Sequence, residues 1–211
     1  MRVVYLHGFA SSPASGKAQY FSGKFKAAGV DVSVPALDGG DFRNLTITSQ
    51  LAIVERAVTG GPVVLMGSSL GGYLAALYTA AHPEQVERVI LMAPAFCFAR
   101  RWSAELAGLD EWTRRGVMEM FHYGEGRSLE IGFQLITDGL RYPDYPDVRQ
   151  PALLLHGALD PVVPASLSEE FVKRHPATAR LRVYPKSGHE LSDVVDDMWT
   201  EVRAFCGGLL G

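Results

Sequence analysis

Val63-Val64-Leu65-Met66-Gly67-Ser68-Ser69-Leu70-Gly71-Gly72-Tyr73-Leu74-Ala75-Ala76-Leu77-Tyr78-Thr79-Ala80-Ala81 passes from an apolar, β-branched run into an alanine-rich one. The first four residues read as a strand buried on both faces, and Leu70 to Ala81 reads as a helix. Between them lies Gly67-Ser68-Ser69-Leu70-Gly71, a G-x-S-x-G sequence. A chain with 22 glycines in 211 residues can meet that pattern by chance, so its strand-to-helix context carries the inference. A strand that turns at once into a helix forces the corner residue into a strained conformation and leaves space only for small neighbours, here Gly67 and Gly71. The corner lifts the Ser69 hydroxyl beyond the strand ends. The Leu70 N–H then sits at a helix start, where negative charge is favoured, and is a candidate oxyanion donor.

The same alternation runs through the rest of the chain. Strands are expected at Arg2–Leu6, Asp31–Val34, Val63–Met66, Arg88–Met92, Ala152–Leu155 and Arg180–Tyr184. Helices are expected at Gly16–Ala28, Thr46–Val58, Leu70–Ala81, Ala165–Lys173 and Asp193–Phe205. This is an α/β pattern: a minimal, mostly parallel sheet of about six strands flanked by helices, in a single domain over 1–211. Residues 95–147 break the rhythm. No strand is evident there, and helical spacing shows at Ala104–Leu109, Trp112–Met120 and Leu129–Ile136. A structureless loop of that length is unusual, so the segment is expected to be a helical cap inserted between two strands.

A serine hydroxyl needs a base to act as a nucleophile at neutral pH. Of six histidines, His82 and His175 precede prolines at helix ends, His122 lies in the expected cap, and His7 and His156 end strands. His189, in Lys186-Ser187-Gly188-His189-Glu190, follows the last strand on a flexible loop and is the candidate base. Asp160, in His156-Gly157-Ala158-Leu159-Asp160-Pro161, follows another strand in a proline-fixed turn and is the candidate carboxylate to orient it. Asp193, Asp196 and Asp197 are nearer His189 but read as acidic residues at a helix start. A second oxyanion donor is expected from the loop after the first strand, Tyr5-Leu6-His7-Gly8-Phe9-Ala10, with the Phe9 N–H first and Ala10 as the alternative. Trp102, Trp112, Phe121 and Phe133 are candidates for an apolar substrate pocket, with cap-to-core packing the competing explanation for each.

His7-Gly8-Phe9, the G-x-S-x-G sequence, His156-Gly157 with Asp160, and Gly188-His189 together resemble the α/β-hydrolase superfamily across nearly the whole chain. The likeness is greatest to small bacterial carboxylesterases that begin almost at the HGF strand. It implies an acyl-enzyme mechanism on Ser69, His189 and Asp160, no cofactor, and a cap over the site. It departs from the family in lacking two strands usually found ahead of the HG strand.

The expected activity is hydrolysis of small-molecule carboxylic esters with small or medium acyl groups. Thioester or acyl-glucuronide hydrolysis would use the same groups, and a non-catalytic ligand-binding version of the fold is the alternative from another class. A net charge of −3 and a pI near 6.1 argue against a nucleic-acid surface. The chain carries no apolar run that could span a membrane and no phosphate-loop, dinucleotide or metal motif. Its N-terminal residues do not read as a secretory signal, which makes a cytoplasmic enzyme the expectation. Cys97 and Cys206 read as buried free thiols.

Overall fold

In the computed structural model residues 2–106 and 108–207 are described, so Met1, Ala107 and the last four residues of the domain expected over 1–211 lie outside. The elements run β1 (Arg2–Leu6), α1 (Gly16–Ala27), β2 (Asp31–Ser33), α2 (Ile47–Ala57), β3 (Val63–Ser68), α3 (Leu70–Ala81) and β4 (Val86–Met92). They continue with α4 (Phe98–Glu105), α5 (Leu109–Arg115), β5 (Val117–His122), β6 (Arg127–Gly132), α6 (Gln134–Gly139), β7 (Ala152–Gly157), α7 (Ala165–Arg174), β8 (Ala179–Tyr184) and α8 (Val195–Cys206).

Six strands form one sheet in the order β2-β1-β3-β4-β7-β8, with every neighbouring pair parallel. Side chains alternate between its faces. Val4, Leu6, Leu65, Leu91 and Leu154 pack with α2, α3 and α7 on one side. Val3, Tyr5, Met66, Met92 and Leu155 pack with α1 and α8 on the other. Burial on both faces is why these strands are apolar runs rather than alternating ones. The chain turns back between β1 and β3: β2 is added beyond β1 on one side, and β4, β7 and β8 are added beyond β3 on the other. In open parallel sheets ligands bind outside the carboxyl ends at such a reversal. The loops after β1 and β3 both open there.

The segment 95–147 is not the all-helical insertion that its spacing suggests. α4, α5 and α6 are helices, but Val117–His122 and Arg127–Gly132 pair as an antiparallel hairpin, from Val117↔Gly132 to His122↔Arg127. The expected helices Trp112–Met120 and Leu129–Ile136 are therefore each divided between a helix and a strand, and the expected Ala104–Leu109 helix contains Ala107, outside the described residues. No helix among the described residues is long and apolar enough to cross a membrane.

Candidate active site

Ser69 sits at the corner between β3 and α3 with φ 54° and ψ −119°. A side chain in that region is strained, and its surroundings must enforce it. They do so through the backbone. Ser69 N–H donates to Met92 O at 2.9 Å, and Ser69 O accepts the N–H groups of Tyr73 and Ala95. A Cβ on Gly67 would run into the Gly71 carbonyl, and one on Gly71 would run into the Leu6 and His7 carbonyls. Both glycines are thus required by close backbone approach. Ser68, the neighbouring hydroxyl, is buried, whereas Ser69 is partly exposed.

His189 and Asp160 meet Ser69 from two other strand ends. His189 Nε2 lies 3.1 Å from Ser69 Oγ, and its Nδ1 lies 2.7 Å from Asp160 Oδ2. An ionised carboxylate only accepts, so Nδ1 carries the proton and Nε2 is left to accept from the serine hydroxyl. The Asp160 side chain is fully buried and holds four contacts. Its Oδ1 accepts the N–H groups of Val162 and Val163, both at 2.8 Å. Its Oδ2 faces His189 and, at 3.3 Å, Nε2 of His156. Burial alone would push this carboxyl up. The hydrogen bonds from His156, His189 and Val163 N–H outweigh it and hold the group below the usual carboxylate range.

The loop carrying His189 is pinned independently. A Cβ on Gly157 would meet the Ser187 and Gly188 carbonyls, so this glycine lets the base loop lie against the end of β7. Ser187 Oγ donates to Asp193 Oδ2 at 2.7 Å, and Leu191 is buried in the left-handed region at φ 53°. Asp193 is therefore a brace of this loop rather than a residue of α8, whose first turn carries Asp196 and Asp197.

The loop after β1 lies against the corner, with Gly8 backed on Ser69 Cβ. His7 orders it: Nδ1 donates to Gly8 O at 2.9 Å, and Nε2 accepts Leu37 N–H at 3.2 Å. Burial lowers the pKa of this imidazole, consistent with the neutral form those bonds require. Among the described residues, the Phe9 N–H has no acceptor in the protein. The Leu70 N–H occupies the first position of α3, where helical amides lack an internal partner.

The model of the uncharacterised protein family UPF0227 matches residues 2–206. The chain belongs to that family. This UPF0227 chain is 25% identical to a pimeloyl-[acyl-carrier protein] methyl ester esterase from Nitrosomonas europaea, over 89% of the chain and 88% of the relative. It is 27% identical to the enzyme of the same name from Aromatoleum aromaticum, over 89% and 90%. Among solved structures, mouse alpha/beta hydrolase domain-containing protein 10 superposes with a TM-score of 0.83 at 21% identity, covering 99% of this chain and 90% of that one. Est1E from Butyrivibrio proteoclasticus superposes at 0.79 and 19% identity, covering 97% and 86%. The fold is that of the α/β-hydrolase superfamily.

Within the UPF0227 chain the four aromatic candidates separate. Trp112 is 1% exposed and donates its indole N–H to Ile131 O at 3.0 Å, so it is packed interior. Phe133 lies edge-on to Trp112. Phe121 is 50% exposed and lies edge-on to Tyr123 at the hairpin end. Trp102 alone touches the loop after β1, edge-on to Phe9 at 5.4 Å. Three arginines of the segment 95–147 have partners: Arg100 bonds Asp144, Arg101 donates to Val162 O, and Arg115 pairs with Glu111. Three contributors were not assigned from sequence. His156 touches Asp160, Tyr123 N–H holds Ala10 O at 2.7 Å, and Lys17 reaches the base loop. For His156 the signal was its place at a strand end four residues before Asp160.

Proposed function

We propose that this chain hydrolyses carboxylic esters of small molecules through an acyl-enzyme on Ser69. The observation that carries this is the unbroken row Ser69 Oγ–His189–Asp160, in which Nδ1 keeps its proton toward the carboxylate and Nε2 is free to take the hydroxyl proton. His189 Nε2 takes the hydroxyl proton as Oγ attacks the ester carbonyl carbon. The C=O pair moves onto oxygen, held by the N–H groups of Phe9 and Leu70. The C–O bond to the alcohol breaks, and the imidazolium protonates that oxygen. Water then gives its proton to His189 and attacks the acyl carbon. The carboxylic acid leaves, and Oγ recovers its proton. Asp160 keeps the ring in the Nδ1–H tautomer and stabilises the imidazolium. Relatives named as methyl ester esterases support the bond type.

Residues 95–147 roof this site. Trp102 against Phe9 and the hairpin amide of Tyr123 on Ala10 O support that role. Trp102 is the aromatic placed to border an acyl group, with Trp112 and Phe133 behind it. A panel of p-nitrophenyl esters of graded acyl length, run beside thioesters of the same acids, tests the assignment. Saturable ester hydrolysis that exceeds thioester hydrolysis is expected. Hydrolysis no faster than that of S69A on every substrate would refute it.

A further inference from the structure

Lys17 stands in the first turn of α1, far from His189 in sequence, yet both of its polar contacts are to the residue after the base. Nζ donates to Glu190 O at 2.8 Å and lies 3.3 Å from Glu190 Oε2. The two ends of the ion pair differ: the Lys17 side chain is 14% exposed, that of Glu190 76%. The carboxylate is free to swing into water, while the ammonium is held down with a backbone carbonyl as its fixed partner. Burial lowers the affinity of this lysine for its proton, opposed by Glu190 and Asp160. Withdrawing an ammonium from water is unfavourable unless its donors are well placed, so a methionine of similar length would be the better filler here.

The surroundings give the contact leverage. α1 is fixed to the sheet by Ala18 and Phe21, both fully buried, with Phe21 stacked on Tyr5 of β1. On the other side of the imidazole, Gly188 and Ser187 rest on Gly157, and Leu191 is locked in the left-handed region. Glu190 is the one residue between His189 and Leu191, and its side chain is exposed. Among the described residues, its carbonyl is reached by Lys17.

We propose that Lys17 is a positioning residue for the base: by holding the Glu190 carbonyl it sets the backbone from which the His189 ring reaches Ser69. This rests on the ester-hydrolase assignment above. Lys17 touches neither Ser69 nor a reacting atom, so its loss acts on how often the ring is aligned and not on substrate affinity. A misplacement of about 1 Å at such a group can cost on the order of 100-fold in rate.

The test is a graded series, K17R, K17Q and K17M, with E190Q as control. Each is assayed on a p-nitrophenyl ester, for fluorophosphonate labelling rate and for thermal unfolding. K17M and K17Q are expected to lose about 10- to 100-fold in kcat with KM within about twofold, and to be labelled correspondingly slowly. K17R, which can still donate to the carbonyl, recovers most of the rate. E190Q, which keeps the carbonyl, stays within about twofold of the parent. If K17M does not fold, K17Q and K17R decide. Folded K17Q or K17M with unchanged kcat overturns the proposal. So does a rise in KM at constant kcat, which would make Lys17 a substrate contact. A parent protein that neither turns over esters nor takes the label would instead sink the hydrolase assignment.

Discussion

The loops at the sheet's carboxyl edge and the segment 95–147 meet where Trp102 lies against Phe9 and Tyr123 N–H bonds Ala10 O, but they are held in different ways. At the sheet edge the geometry is fixed by backbone against backbone. Gly67 and Gly71 admit carbonyls that any Cβ would displace, Gly157 admits the base loop, and Ser69 and Leu191 are kept at positive φ. In the segment 95–147 a hairpin and a few backbone bonds are joined by side chains in small aromatic clusters, Trp102 and Trp112 with Phe98 and Phe133, while Phe121 and Tyr123 face solvent. The sheet edge can therefore tolerate almost no change at its chemical groups. The exposed hairpin surface at Phe121 and Tyr123 can vary without moving them.

Four substitutions sharpen or break that contrast. His189→Ala removes the base and is expected to lower kcat by about 10⁶-fold with the fold unchanged, read by steady-state kinetics and circular dichroism. Asp160→Asn keeps the shape but loses the ring's orienting charge. A fall of about 10⁴-fold is expected, and activity equal to the parent's would assign the acid elsewhere. Its pH dependence has a defined sign. The Asp160 carboxyl is held below its ordinary value of 3.8, so its contribution to stability is complete above that pH and is lost as pH falls through the lower folded value. Melting temperatures of D160N are accordingly expected to fall less steeply than the parent's below about pH 4. In the insertion, Trp112→Ala opens a cavity and is expected to cost about 3–5 kcal/mol in denaturant unfolding, with the surviving folded protein still active. Phe121→Ala, on the exposed hairpin, is expected to stay within about 0.5 kcal/mol. A large loss of hydrolysis in F121A would mean that the hairpin end reaches substrate.

The same contrast explains what was legible in the sequence. Strands β3 and β7 could be read because burial on both faces makes them continuous apolar runs, and Ser69 and Asp160 could be placed because each follows such a run. The edge strand β8 alternates instead, and His189 could be placed by the Ser187-Gly188 loop that follows it. The hairpin was not legible. Val117-Met118-Glu119-Met120-Phe121-His122 has three strong helix formers at its centre, and it is half-buried on one face only. The alternation and the Gly124-Glu125-Gly126 turn were present as signals, with Gly126 at φ 67°, but the neighbouring helical spacing from Trp112 masked them. Packing against Ala10 and Ser12 decides the conformation there, a long-range effect that local propensity does not carry. The Lys17 contact was invisible for a similar reason: 173 residues separate it from its partner.

Reaction with a fluorophosphonate followed by peptide mapping addresses the nucleophile itself. One adduct per chain, located on Ser69 and strongly slowed in H189A, is the expected result. An adduct on Ser68 or elsewhere, or labelling of Ser69 at an undiminished rate without the imidazole, would contradict the account.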